Sequence, residues 1–339
     1  MQWAGPEITD ELVFQVVEKI VEGKKATQIA NEMQAQGVTL NREQVYVLLN
    51  RAVERGFLRL CAPLDHTLTS RLSERYPQAH VRVVNVPDGS NVVGQVAAAG
   101  AQLVLSLVKQ LGQTQETVRL GLAAGNTLKM LSRELGILMR AEPELPHLVL
   151  QALSSGPSIK HPTRAPTSFF TFFQDLPVDV RFVGLFSAAV VQWNEFEQAK
   201  KLPGIQEAFK EKKHIDIVVM SMASANDEHG LYNHFMGLGK KSAVNKLRRA
   251  GWVGDVHWHP FSEKGPIKVN TGVRSMTLFE LDELAEWAAR TDKHIVLMAA
   301  PCGQCGRTKS DALRPLLEEP ALRVYNHLVT DVRTARELL

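Results

Sequence analysis

TVRLGLAAGNTLK, residues 117–129, decides the fold. Apolar residues run through Val118, Leu120 and Leu122, small residues follow at Ala123, Ala124 and Gly125, and Asn126, Thr127, Leu128 and Lys129 open a helical pattern. A short apolar strand that turns straight into a helix belongs to a parallel sheet whose two faces are both covered. The small residues let a ligand approach the backbone. Free amides at a helix start, with the Thr127 hydroxyl and the Lys129 charge, suit an anion such as a phosphate. The same Gly-Asn-Thr also makes an ordinary strand-to-helix turn.

The pattern repeats on both sides of this stretch. HLVLQAL (147–153), VRFVGLF (180–186), IDIVVMSM (215–222), HIVLMAA (294–300) and YNHLVTD (325–331) are further apolar runs. Helical stretches near 92–111, 127–140, 197–212, 239–250, 280–290 and 308–318 alternate with them. This predicts an α/β fold with a large, mostly parallel sheet, whose ligands bind outside the carboxyl ends of the strands.

Residues that follow strands are therefore the ones to inspect. After 294–300 comes PCGQCGRTK, residues 301–309. Arg307 and Lys309 stand at a helix start, where a cation opposes the macrodipole, so their presence there points to an anion. Cys302 and Cys305 have CxxC spacing, which is half a zinc site or a redox pair. His257, His259 and His294 are the available further ligands, but no spacing brings them together. The pair reads as two cysteines incidental to a loop, and no metal or cofactor is assigned. Asp227, Glu228, His229 and Asp255 lie near strand ends and could do acid–base chemistry; equally, they could bond hydroxyls or cap helices.

The front of the chain differs. Leu12, Val13, Val16, Val17, Ile20 and Val21 share a helical face, Thr27 to Gln36 form a second helix, and Asn41 caps a third with Gln44 at the capping-box position. Gly56 ends the third helix, and FLRLCAP (57–63) reads as a short strand or wing. This predicts a (winged) helix-turn-helix over residues 1–60, with Asn41, Arg42, Gln44 and Tyr46 reaching base edges. Lys24, Lys25, Arg51, Arg55 and Arg59 would hold phosphates. The turn QAQGVTL is longer than usual for this motif. A three-helix module that binds protein is the alternative. Leu64, Leu68, Leu72 and Tyr76 form an apolar stripe on a linker helix within 61–80 that either pairs with a second copy or docks on the body. The body then spans 81–339.

The 339 residues carry a formal net charge of +3, which excludes a bulk polyanion binder. No unbroken apolar run reaches the roughly 18 residues that span a bilayer, and MQWAGPEITDEL lacks the regions of a signal peptide, so no membrane partner is expected. Three cysteines cannot build a disulfide framework, which points to a reduced, cytoplasmic protein.

Four segments together resemble the SorC-type sugar-binding transcriptional regulators of bacteria. They are ATQIANEMQAQG (26–37) with REQVYVLLNRAVERGFLRL (42–60), GLAAGNTLKML (121–131), AGWVGDVHWHPFSEKG (250–265) and ALRVYNHLVTDVRTARELL (321–339). The resemblance implies a body like ribose-5-phosphate isomerase and glucosamine-6-phosphate deaminase, used as a sensor. It implies a phosphorylated-sugar effector, operator DNA and a homodimer or homotetramer. Gly125, Asn126 and Thr127 would take the phosphate, Asp255 would face sugar hydroxyls, and Lys309 would bind ligand.

The chain also departs from that family. The common Ser-Trp-Gly-Arg-Thr is Leu-Ala-Ala-Gly-Asn-Thr here, without the arginine. PCGQCGRT replaces a Gly-Gly turn before the lysine. Leu153-Ser-Ser-Gly156 stands where an arginine or Gly-Gly pair is common, with Lys160, His161 and Arg164 following as substitutes. A sugar-phosphate isomerase or deaminase is the competing function, and a protein-binding scaffold the third.

Overall fold

The computed structural model describes residues 5–87, 90–156, 161–227 and 230–339. The chain divides into two compact units, Met1–Cys61 and Ala62–Leu339.

The first unit is three helices, α1 (Asp10–Val21), α2 (Ala26–Ala35) and α3 (Arg42–Arg55). Thr9 caps α1 through its hydroxyl. At α3, Asn41 Oδ1 accepts from the Gln44 amide at 2.9 Å and Gln44 Oε1 accepts from the Asn41 amide at 2.8 Å, a complete capping box. Val13, Val16, Ile29, Met33, Val45, Leu48 and Ala52 fill the core. The long turn is pinned by Val38 and Leu40, which pack into that core. The expected wing is absent: residues 57–63 form no strand. Phe57 and Leu58 both donate their amides to the Ala52 carbonyl, so the backbone is spent on closing α3. Phe57 also packs edge-on against Phe14.

The second unit opens with α4 (His66–Arg75) and β1 (His80–Val84). The apolar stripe of α4 docks on this body, with Leu68, Leu72 and Tyr76 in its core. There follow α5 (Val92–Gly112), β2 (Thr117–Leu122), α6 (Asn126–Arg140), β3 (His147–Ala152), α7 (Pro166–Phe169), β4 (Val180–Val183), β5 (Val190–Gln192), α8 (Phe196–Ala199) and α9 (Gln206–Glu211). The chain continues through β6 (Ile217–Ser224), α10 (Leu231–Gly237), α11 (Lys241–Arg249), β7 (Gly254–Val256), β8 (His259–Ser262), β9 (Gly265–Pro266) and β10 (Val273–Ser275). It closes with α12 (Leu281–Ala288), β11 (His294–Ala299), α13 (Ser310–Glu318), β12 (His327–Asp331) and α14 (Val332–Leu338).

The main sheet has the order β1-β12-β11-β6-β2-β3-β4 and is parallel throughout. An antiparallel extension, β7-β8-β9, grows from the far end of β6. One face is covered by α5 and α6, the other by α4, α12, α13 and α14, so the strands are apolar on both sides. α5 is long and apolar enough by composition to cross a membrane, a length that scanning for unbroken runs misses. It spends that surface on the core, through Val96, Leu103, Val104, Leu107 and Val108.

The free side of the edge strand β1 is covered by the segment before it. Asp65 and Asn85 amides donate to the Val83 and Pro63 carbonyls at 2.8 Å each, and the Val83 amide donates to Thr69 Oγ1 at 3.1 Å. The single helix expected over 197–212 is two short ones, because Pro203 lacks an amide donor and sits with Gly204 in the break.

Candidate functional site

Strand order reverses between β2 and β6: β3 and β4 lie beyond β2, while β11 and β12 lie beyond β6. Such a switch point leaves a crevice at the carboxyl ends of the two strands. Gly125, between β2 and α6, holds φ +138°, a conformation that disfavours any side chain, and a Cβ on it would lie 3.4 Å from Ser221 Oγ of β6. A Cβ on Gly303 would lie 3.6 Å from Asn126 Nδ2, so the loop after β11 meets the start of α6. No side chain caps α6, whereas Asp65, Asn91 and Asp331 cap α4, α5 and α14. Thr127 is buried in the first turn, Asn126 is exposed, and Lys129 is half-buried beyond them. The Gly125 amide already donates to the Arg164 carbonyl at 3.1 Å, which brings the 161–164 segment to this loop.

The hairpin between β7 and β8 faces the crevice. Val256 pairs with His259, so His257 and Trp258 are its two turn residues, at φ 51° and 66°. Two positive φ values are what this tight hairpin demands, and each costs a non-glycine residue about 1–3 kcal/mol. His257 is buried, with neither ring nitrogen hydrogen-bonded. Burial holds its imidazole down to about 3, with His259 adding to the effect and the nearby Leu153 carbonyl, which is short of a full hydrogen bond, opposing it, so it is neutral near pH 7. Asp255 is buried beside it with Oδ2 unpaired. Burial pushes that carboxyl up to about 7, against the Leu231 amide and the Lys309 charge. At neutral pH it can therefore donate or accept. Ser154 and Ser155, after β3, also have unpaired buried hydroxyls.

Lys309 enters from the loop after β11. It is buried, its Nζ donates to the Met222 carbonyl at 2.7 Å, and burial lowers its pKa against the pull of Asp227 and Asp255. Arg307 is exposed and donates to the Asn226 carbonyl at 3.4 Å. Arg307 lines a cleft of about 370 Å³ together with Ser224, Asn226, Asp227, Thr308 and Asp311. Cys302 and Cys305 are joined by Asp227, and none of the three histidines expected as partners belongs to that cluster. His294 is at the opposite, amino end of the sheet, tilted against His327.

The crevice thus collects Gly125, Asn126, Thr127, Asp255 and Lys309, with Arg307 at its mouth and Lys129 further along α6. The sequence offers His257 only as a metal ligand and Ser154–Ser155 only as a departure from the family's pattern, and neither as an unpaired hydrogen-bonding group. Their signal was the His-Trp pair where a hairpin favours Asn-Gly, and two hydroxyls directly after an apolar strand. Lys160, Glu228 and His229 lie outside the described residues.

In the first unit, the capping box occupies the side-chain oxygens of Asn41 and Gln44, leaving only their amide groups to reach outward. Arg42 stacks over Tyr46 at 5.9 Å, and Tyr46 is exposed. Lys24 is paired with Glu32 at 2.8 Å, Arg51 with Glu54 at 2.6 Å, and Arg55 with Asp10. Exposed pairs of this kind are weak, so these cations can exchange partners.

The family model described as "Putative sugar-binding domain" matches residues 64–339. No curated protein matches the chain. Among solved structures, the full-length sorbitol operon regulator SorC from Klebsiella pneumoniae is similar over 98% of this chain and 99% of its own, at 16% identity and TM-score 0.66. A DeoR family transcriptional regulator from Listeria monocytogenes is similar over 80% of this chain and 98% of its own, at 18% identity and TM-score 0.60. A transcriptional regulator from Streptococcus pneumoniae TIGR4 is similar over 80% and 95%, at 15% identity and TM-score 0.58.

Proposed function

This chain belongs to the sugar-binding domain family, and from that premise we propose that it is a sugar-sensing, DNA-binding transcriptional regulator whose effector is a phosphorylated sugar. The observation that carries the reading is the set of buried polar atoms without partners at one crevice: Asp255 Oδ2, Asp227 Oδ2, both nitrogens of His257, and the Ser154 and Ser155 hydroxyls. A buried polar atom left unpaired costs about 1–3 kcal/mol, and a polyhydroxylated ligand offers partners to all of them.

In this reading the phosphate sits on the uncapped start of α6, at Gly125, Asn126 and Thr127, with Lys129 adding charge from the helix. Asp255 bonds a sugar hydroxyl, Lys309 supplies a cation, and Arg307 closes the mouth. The reader is residues 1–60, with Asn41, Arg42, Gln44 and Tyr46 toward the bases. Residues 61–80 connect it to the sensor at 81–339. The protein acts on operator DNA as a homodimer or homotetramer in the cytoplasm.

The relation between the sites is allosteric if effector and operator alter each other's affinity by the same factor. The test is a thermal-shift screen of the full chain against matched phosphorylated and free sugars, followed by operator binding with and without the hit. A phosphorylated sugar should raise the melting temperature, and Lys309→Met should lose that shift while keeping ligand-free DNA binding. A screen in which no sugar shifts the melting temperature sinks the reading. Turnover of a sugar phosphate by the purified protein would return the isomerase or deaminase alternative.

A further inference from the structure

We propose that Asp227, Cys302 and Cys305 form a zinc-binding site that leaves the fourth position of a tetrahedral ion open toward the crevice. One carboxylate oxygen of Asp227 and the two cysteine sulfurs all lie within 4.8 Å of one another. A tetrahedral zinc with Zn–S bonds of about 2.3 Å separates its ligand atoms by roughly 3–4 Å, so small side-chain rotations close the site. Cys305 Sγ is 3.4 Å from Asp227 Oδ1, and Asp227 Oδ2 is buried with no hydrogen-bond partner. That second oxygen is an acceptor with nothing to accept from, on the residue that joins the two thiols.

The loop geometry fits an ion independently. The Gly306 amide donates to the Cys302 carbonyl at 2.8 Å and the Cys302 amide to the Arg307 carbonyl at 2.9 Å, so the Cys-x-x-Cys-Gly run is a closed knuckle. Gly306 holds φ +68°, which lets the chain turn back beneath the second cysteine. Burial pushes the Cys305 thiol up, and the Arg307 amide at its sulfur pulls the other way. An N–H aimed at a metal-bound sulfur orients the ligand and spreads its charge.

The charges balance. One Zn²⁺ enters, the two thiol protons leave to solvent, and no atom is oxidised or reduced. The loaded group of one zinc, two thiolates and one carboxylate carries a net −1, and Lys309 is its cationic neighbour. Three protein ligands with one open position is the arrangement of reactive rather than purely structural zinc sites. Here water or a ligand hydroxyl would take the fourth place. Cys305 is exposed and Cys302 buried, so the ion would enter from the solvent side of the loop.

The test of this inference uses no sugar and no DNA, so its failure is distinguishable from a failure of the effector reading. The full chain is stripped with a chelator under reducing conditions and titrated with Co²⁺, then with Zn²⁺ in competition. The expected result is one Co²⁺ per chain, with thiolate-to-cobalt charge-transfer bands and visible bands of a tetrahedral centre that Zn²⁺ abolishes. Cys305→Ser should remove the charge-transfer bands, and Asp227→Asn should weaken affinity by 10-fold or more, about the scale seen when ligand-shell residues are lost. Cys61→Ser should leave both unchanged, and circular dichroism of each variant checks that it is folded. Absence of charge-transfer bands in the folded wild-type chain, or bands that persist in folded Cys305→Ser, overturns the proposal.

Discussion

The two ends of the parallel sheet treat buried polar groups in opposite ways. At the amino end, Lys293 Nζ donates to the Ile215 carbonyl at 2.7 Å and to Asp216 Oδ1 at 3.2 Å, and Asp216 Oδ2 accepts from the Arg119 amide at 2.8 Å. Asn326 reaches the Lys293 and Ala288 carbonyls and accepts from the Ile295 amide. Of the side chains there, Arg119 leaves an unpaired buried nitrogen, its Nε. At the carboxyl end, Asp227, Asp255, His257, Ser154 and Ser155 all have unpaired atoms. Both ends are built from charged and hydroxylic residues on the same strands, so composition does not separate them. Satisfaction does: one end has spent its polar groups on the fold, and the other holds them in reserve.

That contrast can be broken by mutation. Lys293→Met should be the most damaging change, because it strands the Asp216 carboxylate in a buried site. Removing one member of a buried pair costs about 3–5 kcal/mol, which urea denaturation would read. Asp255→Asn, at the other end, should leave stability within about 1 kcal/mol or raise it, since the amide oxygen can still accept from Leu231 and Oδ2 has no hydrogen-bond partner to lose. It should nevertheless abolish the effector-induced shift in melting temperature. Equal losses in the two variants would erase the distinction.

Protonation gives a second, smaller test. Burial holds the His327 imidazole down to about 3, with His294, His80 and Arg82 also opposing its charge. Its folded value is below the unfolded value near 6.5, so the unfolded chain binds the extra proton. The stability this histidine contributes is therefore complete above about pH 6.5 and is lost as pH falls toward 3, by up to about 1.4 kcal/mol per pH unit. His327→Gln should flatten that part of the stability profile. His257, held equally low at the carboxyl end, should behave alike without ligand. There the acid sensitivity should shrink when the effector is bound, if the effector supplies the imidazole's missing partner.

The smallest effect concerns the first unit. Asn41→Ala removes a helix cap and should cost about 1 kcal/mol of that unit's stability. Arg42→Ala, one residue on, should cost almost no stability but lower operator affinity. If both variants keep full, specific DNA binding, the reading surface lies elsewhere.

The strands were legible because a parallel strand covered on both faces must be apolar throughout, as in Ile217–Met222 and His294–Ala299. The capping box at Asn41 and Gln44 was legible because it is local. The missing wing was not, since Phe57-Leu58 has the composition of a strand and only the absence of a pairing edge decides against it. The β7–β9 extension escaped for the opposite reason. Its strands are short, β8 and β9 each carry a proline, and their pairing is set by β6 rather than by any pattern of their own. In the site, Gly125, Asn126, Thr127 and Lys309 could be found because each directly follows a strand or starts a helix. The partnership of Asp227 with Cys302 and Cys305 joins the ends of two neighbouring strands, β6 and β11, far apart in sequence, so only their adjacency in the sheet reveals it.

The segment around Asp65 and Thr69, which satisfies the outer side of β1, has a consequence for how the molecule can be divided. An open edge strand invites pairing with other chains. A fragment beginning at Ala62 keeps its own shield and should remain monodisperse, whereas one beginning at His80 would expose a bare strand and should aggregate. The stretch leading into the sheet thus serves as its edge guard, and a different first unit can be exchanged ahead of residue 62 without unsealing it.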